Sequence, residues 1–322
     1  MTNELNFNPP FPALTPAQRY HLDVNGYVVV NDVLDKNEVQ TLYNVIHRLK
    51  DEFMSNENPW DTNIRGASIV GHDAYDNRVL FRDMLEAEPE FLQHASNNRI
   101  VGMVEEVVGQ RVRLTEQNAY INSRNFNNPY KGPGRYLWHR NRPESNTYTD
   151  NGLFHCNFVK SITNLSDIGE DDGGTCVIAG SHKISAPEES IVKAARENPD
   201  LIHKVIAPAG STLIFCETLL HTTGDIVSDR ERTIIINGYH PWNRFNESWN
   251  NFSDEFKARV PEELNSLIFG TYLEPRLRRR PLGADVGTIT PSNHLDGWSL
   301  KSESPDSYET DELSRPNKKE FC

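Results

Sequence analysis

"PAGSTLIFCETLLHTTGDIVSDRERT", residues 208–233, is the segment that decides the fold. Its apolar run STLIF leads to His221, and a Gly-Asp turn and a charged turn follow before the β-branched run of ERTIIINGYH. Short β-rich runs separated by Gly, Asp and Pro are typical of strands in an all-β barrel or sandwich. The segment is therefore interpreted as two such strands, with a histidine at the end of the first.

The same β-rich character extends over the chain from Arg111, whereas the earlier part is mostly helical. The other strand-like segments are RVRLTEQNAYINS, GLFHCNFVKSITNLSD, TCVIAGSH and HKVIAPAGSTLIFC. Thr15 and Asp35 are predicted to cap two helices, separated by the strand YVVVNDVL, and residues 78–109 are predicted to form two more helices. ISAPEESIVKAARENP is predicted as a helical insertion between two strands. The fold class is therefore mainly β with flanking α.

The 322 residues suit one large domain or two small ones. Residues 1–13 are rich in Asn and Pro and are predicted to be irregular. A single domain is predicted over residues 14–280. Residues 281–322 are polar and rich in Ser, Asp and Pro, which predicts a flexible tail.

Composition excludes several classes of partner. The net charge of −13, with 33 basic against 46 acidic residues, disfavours nucleic acid and anionic membranes. The basic run RLRRRP, residues 276–281, is interpreted as a solvated surface. There is no run of about 18 apolar residues and no signal-peptide pattern, so we expect no membrane span. The four cysteines are sparse and lack a C-x-x-C pair, which is typical of reduced thiols in a cytoplasmic protein.

The stretch YLWHRNRP, residues 136–143, raises the question of a metal site. His139 and Asn141 are two residues apart, so on an extended backbone they face the same way. His139 and His221 both lie at the ends of β segments, where two facing strands of a small barrel bring imidazoles together. A non-haem Fe(II) site needs two histidines and a carboxylate on one face, and Asn141 offers only a neutral oxygen.

Glu217 is a candidate for the missing carboxylate. It lies four residues before His221, and on one strand residues i and i+4 share a face. The alternative is that Glu217 forms an ion pair or caps a loop. Asp225 is less suitable, because Gly224 is expected to end the strand before it.

Arg232 is a candidate for binding a dicarboxylate such as 2-oxoglutarate. An arginine that points into a barrel needs a carboxylate partner, which it grips with two hydrogen bonds. Thr223 can add a hydroxyl group. The alternative is that Arg230 and Arg232 only flank the charged turn SDRER. His182 is interpreted as structural, and the spacing of His155 alone leaves its role open.

Together these blocks make the chain resemble the phytanoyl-CoA dioxygenase (PhyH) family of Fe(II)/2-oxoglutarate oxygenases. The resemblance covers roughly residues 14–242 and is strongest in GYVVVNDVLDKNEVQTL, in NLSDIGEDDGGTCVIAGSHK and in the segment quoted first. It implies a double-stranded β-helix, a jelly-roll or cupin-type barrel. It implies that His139 and His221 are the first and last iron ligands and that Arg232, with Thr223 nearby, binds 2-oxoglutarate. It also argues against His155 as a ligand.

Asn141 is the departure from the family's pattern, which usually has aspartate at that position. The leading hypothesis is an Fe(II)- and 2-oxoglutarate-dependent dioxygenase that uses O2 to hydroxylate or otherwise oxidise a C–H bond of a small molecule. Residues 122–148, rich in Asn, Arg and Tyr, suggest a polar or anionic substrate, and the chain can form a homo-oligomer. The alternatives are a catalytically silent binding or partner subunit, an iron halogenase, and a cupin-like isomerase that does not use 2-oxoglutarate.

Overall fold

The computed structural model describes residues 13–70, 78–124, 138–141, 143–150, 152–243, 252–270, 286–291 and 298–303. The helices are α1 (Pro16–Asn25), α2 (Lys36–Met54), α3 (Pro89–Ala95), α4 (Asn98–Val108), α5 (Pro143–Asn146), α6 (Glu188–Glu197), α7 (Asp254–Arg259) and α8 (Asn265–Phe269). The strands are β1 (Tyr27–Val30), β2 (Asn63–Ile64), β3 (Ala67–Val70), β4 (Arg78–Arg82), β5 (Val112–Asn122), β6 (Thr147–Asp150), β7 (Leu153–Cys156), β8 (Val159–Asn164), β9 (Thr175–Ile178), β10 (Ile202–Lys204), β11 (Thr212–Cys216), β12 (His221–Thr223), β13 (Arg232–Pro241), β14 (Val286–Pro291) and β15 (Trp298–Glu303).

Two antiparallel sheets form the β core. The large sheet has the strand order β1-β11-β8-β13-β5-β4-β3-β2, and the small sheet has the order β10-β9-β12. One face of the large sheet meets the small sheet through a shared apolar cluster. The cluster contains Ile162, Leu213, Phe215 and Ile234 of the large sheet and Val177 and Leu219 from the small-sheet side. This is the interior between the two sheets.

Helices cover the opposite face of the large sheet. The apolar side of α2 packs on Phe81, Ala119 and Ile235. The side chains of α4 pack on Ile214 and Tyr239. The prediction of a mainly β fold with flanking helices is therefore confirmed.

The predicted helix boundaries agree with the caps in the structure. The side chain of Thr15 accepts from the backbone N–H of Gln18, which closes a capping box, and α1 ends at Gly26 with φ of +85°. Asp35 caps α2 in the same way. The predicted helical insertion is also present, since α6 lies between β9 and β10.

The prediction of two helices over residues 78–109 is wrong at its beginning. Arg78–Arg82 forms β4, and only α3 and α4 are helical; α4 does end at Gly109, which has φ of +78°. Neighbouring side chains of RVLFR lie on opposite faces of the strand. Leu80 is paired opposite Tyr120 of β5, whereas the next residue, Phe81, lies on the helix-covered face. The neighbouring strand therefore determined this conformation, which local periodicity did not reveal.

The ends of the chain are described only in part. The predicted irregular segment of residues 1–13 lies outside the described residues except for Ala13. Within the predicted tail, β14 and β15 pair as an antiparallel hairpin, and the rest of residues 281–322 lies outside the described residues. Among the helices that are described, none combines the length and apolarity needed to cross a bilayer. Cys156, Cys176 and Cys216 are buried free thiols.

The paired glycines of the motif DDGG serve two different needs. Gly173 has φ of +69°, whereas Gly174 is outside the left-handed region and has no room for a side chain. A Cβ on Gly174 would lie 2.0 Å from the carbonyl oxygen of Val205. Gly174 therefore allows the turn that precedes β9 to pack against the segment that follows β10.

We therefore predict that Gly174→Ala lowers the free energy of unfolding by about 3 kcal/mol, because the backbone of both segments must move. Gly152→Ala is the matched control. Gly152 has φ of +78°, and a Cβ added there would have nothing within 4 Å. Gly152→Ala should therefore lower the free energy of unfolding only by the backbone strain, about 1 kcal/mol. Urea unfolding of both variants measures the difference. Equal losses would contradict the steric explanation.

A second prediction concerns His94, which is buried beneath the large sheet. Asn237 donates to its Nδ1 at 3.2 Å, so Nε2 carries the proton and donates to the hydroxyl of Thr163 at 3.1 Å. Burial lowers the pKa of His94 from 6.5 to about 4. The unfolded chain therefore binds a proton at a higher pH than the folded chain does. Stability from the neutral ring is present above pH 6.5 and is lost as the pH falls towards 4.

At pH 5 this loss amounts to roughly 2 kcal/mol. We expect the free energy of unfolding to fall less between pH 7 and pH 5 in His94→Gln than in the wild type, by about that amount. Urea unfolding at the two pH values measures it. An identical fall in both proteins would show that His94 does not titrate between the folded and unfolded states as described.

Candidate metal centre

His139 and His221 meet across an antiparallel bridge. The backbone N–H of His139 donates to the carbonyl of His221 at 3.2 Å, and the reverse hydrogen bond is 3.1 Å long. The two ring centroids are 4.1 Å apart. His221, the first residue of β12, is buried, whereas His139 is exposed. The two imidazoles therefore come together as the sequence predicted, at the edge of the interior.

Glu217 lies beside the ring of His221. Its Oε2 is 3.4 Å from Nε2 of His221, and the side chain is 7% exposed. The predicted reason for this proximity is wrong, because β11 ends at Cys216 and a turn separates Glu217 from β12. The turn is held by its backbone: the N–H of Glu217 donates to the carbonyl of Phe158 at 2.9 Å, and its carbonyl accepts from the N–H of Asn141 at 2.8 Å.

A hydrogen bond to the ring of His221 determines which of its nitrogens carries the proton and which has the lone pair. Nδ1 is 2.8 Å from the carbonyl of Leu219, and since a carbonyl only accepts, Nδ1 carries the proton. Burial lowers the pKa of His221 to about 4, against the opposing effect of the Glu217 charge, so the ring is neutral at pH 7. Nε2 therefore presents a lone pair to Oε2 of Glu217, a buried oxygen without a hydrogen-bond partner among the described residues.

Two buried acceptors that face each other are unfavourable unless a cation lies between them. Donors bound to one transition-metal ion at about 2.1 Å each are roughly 3 Å apart, which is close to the distance of 3.4 Å between His221 and Glu217. This part of the site therefore fits a divalent metal ion. In their present rotamers, however, the residues that the structure describes form no group of three or more His, Cys, Asp or Glu side chains able to hold a metal.

The remaining candidates at this end take different positions. The side chain of Asn141 is exposed, and its backbone N–H donates to the carbonyl of Glu217 at 2.8 Å. Asp225 falls beyond the end of β12, as expected. His155 stacks on Tyr148, with Nδ1 3.2 Å from the carbonyl of Val107 on α4, and so lies away from His221.

His182 is structural, as predicted. It is fully buried, and its ring packs edge-on against Phe154 at a centroid distance of 4.7 Å. Nε2 lies 3.3 Å from the carbonyl of Asp23. Burial, with a smaller contribution from the charge of Lys183, lowers the pKa of His182 to about 3. The neutral ring thus joins the GSHK turn to the end of α1.

Arg232, the first residue of β13, is only 3% exposed. Its Nη1 donates to the carbonyl of Gly173 at 2.7 Å, and its Nη2 donates to the hydroxyl of Thr175 at 3.3 Å. Thr223 is paired directly opposite Thr175 in the small sheet. Thr223 is therefore the cross-strand neighbour of a residue that contacts the guanidinium.

The two arginines of the turn SDRER have different environments. Arg230 is largely exposed and forms an ion pair with Asp172, while Arg232 is buried. The alternative interpretation, in which both arginines only flank a solvated turn, is therefore wrong for Arg232. A single buried guanidinium at the start of a core strand is suited to anion binding.

Lys160 of β8 is a residue of this site that the sequence analysis missed. Its Nζ is 2.9 Å from Oε1 of Glu217 and 3.4 Å from Oε2 of Glu116. Burial acts to lower the pKa of Lys160, but the two carboxylates together raise it above its usual value, so it remains charged. The signal that was available is the single charged residue in the otherwise uncharged strand VKSITN.

Solved structures of several other proteins have the same architecture. HygX from Streptomyces hygroscopicus, crystallised with nickel and 2-oxoglutarate, matches at 22% identity and a TM-score of 0.58, over 73% of this chain and 89% of that chain. EctD from S. alaskensis, with 2-oxoglutarate and 5-hydroxyectoine, matches at 17% identity and a TM-score of 0.58, over 75% and 81%. The epimerase SnoN from nogalamycin biosynthesis matches at 18% identity and a TM-score of 0.52, over 70% and 82%.

The fold is therefore a double-stranded β-helix, as predicted. No curated protein sequence matches the chain. The family model for phytanoyl-CoA dioxygenase (PhyH) matches residues 22–234, which is more than half of the chain and includes every candidate site residue described above. The protein belongs to the phytanoyl-CoA dioxygenase family.

Proposed function

We propose that the protein is a non-haem Fe(II)- and 2-oxoglutarate-dependent oxygenase that acts on a C–H bond of a small polar molecule. The observation that carries this proposal is the close approach of two buried groups, Nε2 of His221 and Oε2 of Glu217, which are 3.4 Å apart while Nδ1 of His221 donates to the carbonyl of Leu219. A divalent cation satisfies both lone pairs. Membership of the phytanoyl-CoA dioxygenase family supports iron and 2-oxoglutarate as the cofactor and co-substrate.

In this proposal His139, His221 and Glu217 hold the iron. Two imidazoles and one carboxylate are the ligand set that non-haem Fe(II) oxygenases require, and they leave positions open for co-substrate and O2. Glu217 replaces the carboxylate that Asn141 lacks. Asn141 contributes through its backbone, because its N–H holds the carbonyl of Glu217 and thereby the turn on which the carboxylate stands. Its side chain is left exposed to meet substrate or solvent.

Arg232 is proposed to bind the far carboxylate of 2-oxoglutarate, with Thr223 adding a hydroxyl group. Gly173 and Thr175 supply two oxygens that orient the guanidinium. A carboxylate that approaches such a group gains two charge-assisted hydrogen bonds in a region with little water. The apolar cluster between the sheets limits the entry of water to the interior.

Iron with bound 2-oxoglutarate supplies oxidation by O2 coupled to decarboxylation of the co-substrate. The residues of this chain position that chemistry and determine which molecule meets it. HygX has been crystallised with hygromycin B and EctD with 5-hydroxyectoine, both together with 2-oxoglutarate, and these polar ligands support a polar substrate here. Residues 122–148 are proposed to contact the substrate; residues 125–137 and 142 of that segment lie outside the described residues.

The rival function is a catalytically silent binding subunit. Asn141 and the incomplete set of ligands in the described rotamers favour it. Against it, His221, Glu217 and Arg232 are all present and buried, and burying such polar and charged groups has a cost that a binding subunit has no need to retain. Glu217 also makes an iron halogenase less suitable, because that chemistry uses an open position in place of the carboxylate.

The first test is an anaerobic titration with Fe(II) and then 2-oxoglutarate, followed through the visible iron-to-ketoacid charge-transfer band. We expect the band in the wild type. In Glu217→Gln the Kd for Fe(II) should rise roughly 100-fold, because an amide oxygen is a much weaker ligand than a carboxylate. Asn141→Asp should retain the band.

The opposite pattern identifies the rival function. If only Asn141→Asp develops the band, the natural chain is a silenced oxygenase and Glu217 is not a ligand. If neither protein develops it, the oxygenase proposal is wrong and a binding protein on this scaffold remains.

A separate prediction concerns the co-substrate. Arg232→Ala should weaken 2-oxoglutarate binding to the metal-loaded protein by about 10- to 100-fold, because a charge-assisted hydrogen-bond pair is lost. Fe(II) affinity without 2-oxoglutarate should change little. Isothermal titration under anaerobic conditions measures both constants. Arg230→Ala is the matched control, since it removes the exposed arginine of the same turn, and an equal effect in both variants would contradict a specific role for Arg232.

A further inference from the structure

An ion-pair network lies immediately behind the proposed iron ligands. Lys160 is at its centre, with Glu217 at 2.9 Å and Glu116 at 3.4 Å. The side chains of Lys160 and Glu217 are only 16% and 7% exposed. A lysine this deeply buried loses most of its hydration, and an ion pair between lysine and glutamate at the protein surface would have a much lower desolvation cost. The position of Lys160 therefore calls for a local explanation.

The large sheet is built so that Lys160 can reach both carboxylates. Lys160 of β8 and Glu116 of β5 both pair directly with Gly238 of the intervening strand β13. Gly238 has no side chain to separate them, and a Cβ there would lie 3.0 Å from Cβ of Glu116 and from Cε2 of Phe158. The register shift between Gly238 and Tyr239 occurs at the same point. The glycine thus opens a space that the lysine and the carboxylate share.

The two oxygens of Glu217 have different partners as a result. Oε1 binds Lys160, and Oε2 faces Nε2 of His221. The backbone of Glu217 is fixed on both sides by hydrogen bonds to Phe158 and Asn141. With the backbone and Oε1 both fixed, the remaining rotation of the carboxylate is restricted, and Oε2 is directed at Nε2 of His221.

We propose that Lys160 is a positioning residue that holds Oε1 of Glu217 and so directs Oε2 towards the metal bound by His221. This role rests on the proposed function, in which Glu217 is an iron ligand. Residues that orient a ligand from behind are known to matter for metal affinity, because they fix the rotamer in which the ligand can bind. In this chain the ligand comes from a turn rather than from a strand, so its orientation depends on such a partner.

An argument from charge alone predicts the opposite effect of removing Lys160 on metal affinity, so a binding measurement distinguishes the two explanations. The ammonium group of Lys160 repels a divalent cation, so a purely electrostatic view expects tighter metal binding when the charge is removed. The positioning role expects weaker binding. Without Lys160, Glu217 and Glu116 also repel each other, and the Glu217 carboxylate is no longer held in place.

The test measures Co(II) binding to the full chain by its visible d–d absorption, without turnover. Lys160→Met should raise the Kd for Co(II) by about 10- to 100-fold, and Lys160→Arg should restore most of the affinity. Glu217→Gln should weaken binding further, and the double variant should bind no more weakly than Glu217→Gln alone, because Lys160 acts only through that carboxylate. Lys193→Met, which removes a largely exposed lysine paired with Glu197, is the control and should bind as the wild type does.

Circular dichroism and thermal melting check that each variant is folded. If Lys160→Met does not fold, Lys160→Leu, which likewise removes both the charge and the hydrogen-bond donor, takes its place in the cycle. The proposal is overturned if the uncharged variant binds Co(II) as tightly as the wild type or more tightly, or if the two single losses add in the double variant. A wild type that binds no Co(II) overturns the proposed function together with this inference, whereas unchanged affinity in Lys160→Met alone overturns only the inference.

Discussion

Three backbone hydrogen bonds join the segment at His139 and Asn141 to the turn that leads into β12, and the candidate site depends on them. Two link His139 with His221, and the third links Asn141 with Glu217. They bring together groups that are more than 75 residues apart in the chain, and they do so through the backbone, independently of the side chains at these positions. An asparagine at position 141 is therefore compatible with the same architecture that an aspartate would have, and the carboxylate can come from the other side of the bridge.

Charge inside the β core is separated into two places. Glu217, Lys160 and Glu116 lie near the histidines, whereas Arg232 is held by Gly173 and Thr175 beside Thr223. The apolar cluster of Ile162, Leu213 and Ile234 occupies the space between the sheets. This separation suits a dicarboxylate that bridges a cation and a guanidinium, because each charged end meets its partner while the middle of the molecule contacts apolar side chains.

Sequence reasoning succeeded where the signal was local or a general pattern. The caps at Thr15 and Asp35, the insertion α6 and the structural role of His182 followed from neighbouring residues. It failed for β4, which is a strand because β5 lies beside it, and it gave the wrong reason for Glu217, which approaches His221 from a turn. Lys160 was missed because its role depends on Glu116 and Glu217, and the space for it comes from Gly238 on a third strand.

The amino-acid sequence by itself determined the mainly β class, the flanking helices and the candidate residues His139, His221, Glu217 and Arg232, since strand propensity, capping and residue chemistry are properties of short segments. Only the tertiary structure decided which nitrogen of His221 has the lone pair and which oxygen of Glu217 faces it. It also decided that Arg232 is buried while Arg230 is exposed. These features depend on strand register and on hydrogen bonds between segments distant in the chain, and such contacts form only when the sheets pack.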